Sequence, residues 1–229
     1  MQVLKETTAY RVSLRGRIIE KAMQEFAMHG IRAVKMDDLA ADLGISKRTL
    51  YEIFKDKETL LFEGIKVYND RKREYLHSYA EEGHHVIDII MEVYRMKVEE
   101  VRAVNPAFYI DLMKYPRLNH HMKEIQQQSR EGFISFMKRG ISEGYFRSDV
   151  NIQLIPHIFD ALGQYILTNS LVQQYSVEEL FSNCFLIALR GFCTDKGLHT
   201  IDVPLCVDGV ARRATALVDR LYLGVSDDL

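Results

Sequence analysis

The sequence predicts an all-α protein with a small N-terminal head and a larger helical body. Apolar residues recur three and four positions apart over most of the chain, which is typical of helices that bury one face. Only 4 prolines and 13 glycines occur among 229 residues, and few helix breakers suit a helical chain. A glycine-containing corner at Gly44 separates two short apolar stripes. We therefore predict a three-helix head at residues 1–60 and a helical bundle at residues 61–200, with about nine helices in all.

The corner at Gly44 has the pattern of a helix-turn-helix, which we place at about residues 35–54. Gly44 can take the positive φ that ends a helix, and Ser46 is a preferred N-cap for the helix that follows. Apolar side chains four positions apart flank the corner on both sides: Leu39 and Leu43, and Leu50 and Phe54.

The second helix of such a motif enters the DNA major groove, and its N-terminal residues meet base edges. Lys47, Arg48 and Thr49 lie in its first turn and carry suitable hydrogen-bonding groups. Tyr51 and Lys57 follow, with donors that phosphate oxygens accept. A merely solvated cationic face is the alternative for isolated Lys and Arg pairs. The cap, the turn and the flanking apolar stripes favour a DNA-binding helix.

The segment G-I-S-K-R-T-L-Y-E-I-F-K-D-K-E-T-L-L, from Gly44 to Leu61, resembles the DNA-binding signature of the TetR (tetracycline-repressor-like) family of transcriptional regulators. The preceding segment from Gly30 to Ala40 is similar to the one that opens the family's motif. The resemblance implies an all-α fold. It also implies base contacts from the residues Lys47, Arg48 and Thr49, and phosphate contacts from the residues Tyr51 and Lys57.

Two positions depart from the family pattern. Lys35 stands where the family usually has Thr or Ser, which caps the helix and contacts phosphate; a lysine can reach phosphate but cannot cap. Ile53 stands where a Tyr or His commonly contacts phosphate, so we expect no such contact there.

Charge and cysteine usage set limits on the class of protein. The net charge is −2, while residues 1–60 hold 11 basic and 9 acidic side chains, a net of +2. A DNA-binding face must therefore concentrate its basic residues locally. The three cysteines form no Cys-x-x-Cys pair, which fits a reducing cytosol. Since no apolar run approaches about 18 residues, we expect a cytoplasmic chain without a membrane partner.

Two apolar helices close the body, at about residues 151–171 and 177–196. Both are apolar over more than one stripe, so two copies of the pair predict a four-helix homodimer interface. The alternative is that they form the buried centre of a monomer. A two-fold dimer would present two heads to a palindromic DNA operator.

The body is rich in aromatic and methionine side chains. The family resemblance implies that some of them line a pocket for a small apolar or amphipathic effector; otherwise they are ordinary core. We choose five candidates for this pocket: Tyr94, Phe108, Met113, Phe133 and Met137.

Neither metal nor cofactor is expected. The adjacent pairs His84–His85 and His120–His121 point about 100° apart on a helix, so neither forms a chelating face. No catalytic motif occurs in the sequence, so an enzyme is not expected.

These observations predict a ligand-responsive homodimeric repressor, with residues 201–229 as an atypical C-terminal extension entered through a linker at Asp202–Pro204. A helical DNA-binding adaptor whose body makes only protein contacts is the alternative, and an all-α enzyme is a more distant one.

Overall fold

The computed structural model describes residues 2–169 and 171–205, and over these residues the chain is all-α, as predicted. A single residue pair, Phe146 and Cys193, forms an isolated antiparallel bridge within the described part. No helix in this part is long and apolar enough to cross a membrane. The helices are α1 (Gln2–His29), α2 (Met36–Asp42), α3 (Lys47–Ile53), α4 (Lys57–Glu81), α5 (Val86–Ala103), α6 (Pro106–Leu112), α7 (Pro116–Ser142), α8 (Ile155–Thr168), α9 (Val177–Leu180), α10 (Leu186–Gly191) and α11 (Asp195–Leu205), with a 3₁₀ turn at Leu171–Gln173 and a π turn at Phe181–Phe185.

The described chain forms two compact units. The first contains residues 2–75 and 99–120, and the second contains residues 76–98, 121–169 and 171–205. The predicted head therefore packs with residues beyond position 60. The predicted domain boundary at 60 stays a prediction. The core of the first unit is lined by side chains that are almost wholly buried: Ile18, Phe26, Leu39, Leu50, Phe54, Leu60, Leu61 and Leu118.

The end of α1 is held by the start of α6. Asn105 caps α6 by accepting the Ala107 N–H at 2.9 Å, and its own N–H donates to the Ala27 carbonyl at 2.7 Å. Gly30 ends α1 with a φ of 81°, and a Cβ there would lie 2.9 Å from the Ala107 Cβ. Glycine is thus required at position 30 both for the backbone angle and for the close approach of α6.

The second unit differs from prediction at several helix ends. The helix expected to start near residue 151 begins at Ile155, so Pro156 lies in its first turn, where its missing N–H costs nothing. The helix expected to run from 177 to 196 contains the π turn and ends at Gly191. Beyond it, the Phe192 carbonyl accepts the Arg147 N–H at 2.9 Å, so the chain leaves the helix to pair with another segment.

The predicted linker at Asp202–Pro204 is wrong, because α11 continues through it to Leu205. The predicted extension from 201 onward otherwise lies outside the described residues, since the description ends at position 205.

Candidate nucleic-acid interface

The corner between α2 and α3 has the predicted backbone geometry. Gly44 has a φ of 64°, a left-handed angle that side-chain-bearing residues seldom adopt. The Gly44 N–H donates to the Ala41 carbonyl and the Ile45 N–H donates to the Ala40 carbonyl, each at 3.0 Å. These bonds satisfy the last carbonyls of α2, so the turn is closed and the direction of α3 is set.

Ser46 caps α3 as predicted. Its Oγ accepts the Thr49 N–H at 3.0 Å and lies 2.8 Å from the Thr49 Oγ1. The cap therefore orders both the backbone of the first turn and the Thr49 hydroxyl that we expect to meet a base.

The two faces of α3 are clearly different. Leu50 and the following Phe54 are fully buried in the core of the first unit. On the opposite face the Lys47 and Arg48 side chains are 66% and 88% exposed, and Tyr51 is also exposed. Four of the predicted contact residues therefore lie on one short helix whose cationic first turn is exposed: Lys47, Arg48, Thr49 and Tyr51. Their contacts with DNA stay predictions.

Both exposed cations have carboxylate partners. Lys47 Nζ lies 2.5 Å from Asp37 Oδ2 of α2, and Arg48 Nε lies 2.9 Å from Glu52 Oε1, one turn further along α3. The hydrogen bond to Asp37 raises the pKa of Lys47, and the hydrogen bond from Arg48 lowers the pKa of Glu52. Exposed ion pairs of this kind are weak, so phosphates or base edges can replace the carboxylates.

Lys57 lies in a different environment from the one its sequence position suggested. Its Nζ donates to the carbonyls of Ile31 at 2.8 Å and Val34 at 2.7 Å, with the Arg32 carbonyl at 3.4 Å. Burial lowers the pKa of this ammonium group. Lys57 therefore braces the loop between α1 and α2, a role that the sequence analysis missed; its predicted phosphate contact stays a prediction.

Lys35 occupies the N-cap position of α2 in an extended conformation, and its side chain makes no capping hydrogen bond. This confirms that Lys35 does not cap the helix. Asp37 and Asp38 in the first turn complement the helix dipole instead. Lys35 itself is exposed, and its phosphate contact stays a prediction.

The five pocket candidates are distributed over both units. Phe108 is buried in the core of the first unit, whereas Met113 in the same unit is largely exposed. In the second unit the Tyr94 ring stacks on Phe181 with centroids 3.5 Å apart. Met137 is buried in the apolar cluster of that unit, and Phe133 packs against it. The effector pocket stays a prediction for all five residues.

The sequence analysis also missed a polar cluster inside the first unit. The Glu100 carboxylate is buried and accepts hydrogen bonds from Tyr109 Oη at 2.9 Å and Tyr68 Oη at 3.1 Å. Burial, followed by the charge of Glu100, raises the pKa of Tyr109. Residues of α4, α5 and α6 thus share one carboxylate. The available sequence signal was the position of Glu100, four residues after the apolar Met96 and therefore on the same face of the predicted helix.

The His84–His85 pair is accounted for by ordinary contacts. His84 Nδ1 lies 2.8 Å from the Tyr79 carbonyl oxygen, and its ring stacks on Tyr79. His85 Nδ1 lies 3.2 Å from Asp88 Oδ2. Among the described residues, no group of three or more His, Cys, Asp or Glu side chains is placed to hold a metal ion.

Comparison with known proteins points to one family. Residues 18–63 match the family model described as bacterial regulatory proteins, tetR family. The chain is 28% identical over 151 residues to the HTH-type transcriptional repressor KstR2 of Mycobacterium tuberculosis, covering 62% of this chain and 74% of that protein. It is 26% identical over 156 residues to KstR2 of Rhodococcus jostii, covering 65% and 76%.

Solved structures agree on the fold. The ketosteroid transcriptional regulator KstR2 of Mycobacterium tuberculosis superimposes with a TM-score of 0.50 at 21% identity, covering 79% of this chain and 95% of that chain. A TetR-family transcriptional regulator from Cytophaga hutchinsonii superimposes with a TM-score of 0.64 at 15% identity, covering 81% and 98%. Because a capped, cation-bearing helix follows a glycine corner inside the matched segment, residues 18–63 form a DNA-binding segment like that of the tetR family of bacterial regulatory proteins, and we conclude that the chain is a DNA-binding transcriptional regulator.

Proposed function

We propose that this regulator is a homodimeric repressor that binds a palindromic operator through α3 and releases it when a small ligand binds. The observation that supports DNA binding most directly is the open cationic turn of Lys47 and Arg48, held in place by the Ser46 cap. A helix presented in this way fits the major groove, with first-turn side chains at base edges. Operator binding implies action in the cytoplasm.

Sequence-specific DNA binding is tested by selecting fragments of genomic DNA that the purified protein retains, and by sequencing them. We expect an enriched palindrome whose half-sites are about one helical turn, or a multiple of it, apart. Binding to that palindrome must survive a shift from low to moderate salt better than binding to a scrambled duplex, because base contacts add to phosphate contacts. Retention of all fragments without enrichment would contradict the proposal.

The exposed apolar surface of the second unit supports the homodimer. Ile158 and Tyr165 lie two turns apart on α8 and are 46% and 62% exposed, and Ile187 on α10 is 62% exposed. Large apolar side chains clustered on a surface commonly mark an interface between protein chains. A two-fold axis would cover these side chains with the same side chains of a second copy.

The dimer is tested by Ile158→Glu, measured by sedimentation velocity. We expect the wild-type protein to sediment as a dimer and the variant as a monomer, since the introduced charge would face itself across the axis. Met28→Glu is the matched control, because Met28 is 52% exposed but lies on α1. A wild-type monomer at micromolar concentration would contradict the proposed interface.

The effector is proposed from the family and from the aromatic and methionine content of the second unit. A ligand that prefers one conformation of the protein shifts the population of DNA-binding dimers, and a coupling of about 1–3 kcal/mol is typical. Among similar proteins, KstR2 of Mycobacterium tuberculosis is a ketosteroid transcriptional regulator, and a regulator from Saccharomonospora viridis was solved in complex with choline.

A thermal-shift screen therefore begins with ketosteroids and choline. We expect one class to raise the melting temperature and to release the operator in the same concentration range. Failure of every ligand in such a screen would favour the adaptor, whose helical body makes only protein contacts.

A further inference from the structure

The exposed face of α3 carries a carboxylate among its cations. Glu52 is 46% exposed, and its Oε1 lies 2.9 Å from Arg48 Nε. Its other oxygen, Oε2, lies 3.9 Å from a guanidinium nitrogen of Arg11 on α1. One negative charge therefore lies between an arginine of α1 and an arginine of the helix that we propose enters the groove.

The helical spacing determines what Glu52 meets on DNA. Residues four positions apart lie on the same face of a helix, so a pose that brings Arg48 to base edges brings Glu52 to the groove one turn further on. A carboxylate there is repelled by the phosphates on both sides. It gains a hydrogen bond only where a base presents an exocyclic amino group, and in the major groove the usual partner of a carboxylate is cytosine N4.

We propose that Glu52 is a specificity-determining residue for the operator: it accepts a hydrogen bond from cytosine N4 at one base pair of each half-site and disfavours DNA without that donor. This inference rests on the proposed binding of α3 in the major groove. Glu52 keeps Arg48 oriented in the free protein, and its charge lowers the affinity for non-cognate DNA more than the affinity for the operator.

The test compares wild type with Glu52→Gln by selection of bound duplexes from a random pool. Glutamine has nearly the same shape but no charge. It prefers adenine, because its amide can donate a hydrogen bond to adenine N7 and accept one from adenine N6. We expect one position in each half-site to change from cytosine to adenine or to lose its preference. We also expect the affinity for a non-cognate duplex to rise about tenfold, which reduces the ratio of operator to non-cognate binding.

Asp42→Asn is the matched control. Asp42 is 51% exposed and pairs with Lys21 at 3.2 Å, so its neutralisation removes one exposed negative charge from the same head. It lies at the end of α2, outside the exposed face of α3. We expect Asp42→Asn to leave the base preference unchanged and to raise affinity for operator and non-cognate DNA by the same small factor.

Several outcomes are decisive. An identical base profile for wild type and Glu52→Gln would overturn the inference while leaving the proposed function intact. A rise in affinity equal to that of Asp42→Asn on every duplex would overturn it as well, since it would be a general charge effect. If wild type bound no duplex with preference, both proposals would fail together. Glu52→Asp, which keeps the charge on a shorter side chain, is expected to weaken the preference for cytosine without moving it to adenine.

Discussion

The first turn of α3 and the first residue of α4 both carry lysines, but the two sites use them differently. Lys47 is 66% exposed and has one exposed carboxylate as its partner. Lys57, ten residues later, points its Nζ at the carbonyl oxygens of Ile31 and Val34 at 2.8 and 2.7 Å. One lysine is available to another molecule, whereas the other completes the protein's own backbone hydrogen bonding.

This difference separates a lysine that stabilises the folded head from lysine and arginine side chains that remain available for binding. An exposed ion pair adds little to folding, so Lys47 and its neighbour Arg48 can change partners upon binding. Backbone carbonyls in a loop that is partly buried need donors, so removing the Lys57 ammonium leaves them without compensation. Stability and recognition therefore depend on separate lysines, and substitutions at the two sites should have separable effects.

The largest expected effect on stability is that of Lys57→Ala. We expect the free energy of unfolding to fall by about 3 kcal/mol, because two short charged hydrogen bonds to loop carbonyls are lost. Urea unfolding followed by circular dichroism measures this change. The exposed neighbour Lys55 is the control, and Lys55→Ala should alter stability by less than about 0.5 kcal/mol. Unchanged stability together with a uniform loss of DNA affinity would instead support the phosphate contact predicted from the sequence.

Lys47→Ala and Thr49→Ala should have the opposite pattern. We expect each to relax sequence preference at one base pair of the half-site by about tenfold, since each removes a base-edge contact. The unfolding transition of Lys47→Ala should coincide with that of wild type. Equilibrium binding to a panel of single-base operator variants measures the preference. An unchanged panel would refute the assignment of these residues as base readers.

Ser46→Ala should lower both the stability of the protein and its operator affinity, with a smaller effect than the substitutions above. Loss of the cap is expected to cost about 1 kcal/mol of stability, because the Thr49 N–H loses its acceptor. Operator affinity should fall as well, since the first turn of α3 carries the proposed base contacts. Ser46→Thr keeps a hydroxyl at this position and is expected to restore most of both properties. Equal losses in the two variants would show that the cap is not the cause.

The smallest expected effect is a pH dependence of stability that arises from Asp111, which, like Lys57, supports the loop between α1 and α2. Asp111 Oδ2 accepts the Arg32 N–H at 2.8 Å, and its other oxygen is 2.9 Å from Lys114 Nζ. The Lys114 hydrogen bond first, and the Arg32 N–H second, hold the pKa of Asp111 below 3.8. Because the pKa of Asp111 is lower in the folded than in the unfolded protein, its charge stabilises the fold at a pH above the unfolded pKa. This contribution is lost as the pH falls through the pKa of the folded protein.

Asp111→Asn removes this titration while keeping an acceptor for the Arg32 N–H. We expect wild type to be more stable than the variant at neutral pH. This difference should shrink between pH 4 and pH 2, because only wild type loses the contribution of the Asp111 charge as the carboxylate is protonated. Parallel melting curves across this range measure it. Curves that differ by a constant amount at every pH would contradict the role of the Asp111 charge.

The sequence by itself determined the local features of this protein. The positive φ of Gly44 and the Ser46 cap are confirmed because each depends on backbone and side-chain geometry within three residues. The all-α class is confirmed because apolar periodicity repeats along each helix. The helix-turn-helix was recognisable for the same reason, since all of its signals lie within one short segment.

Only the tertiary structure decided the partners of charged side chains and the ends of the later helices. The Asp111 carboxylate and the Arg32 N–H are separated by 79 positions, and Lys57 by 26 from the Ile31 carbonyl. The last predicted helix ends at Gly191 because the Phe192 carbonyl is used by Arg147, a residue from another part of the chain. Such contacts exist only after folding has brought distant segments together, and no local pattern of residue types specifies them.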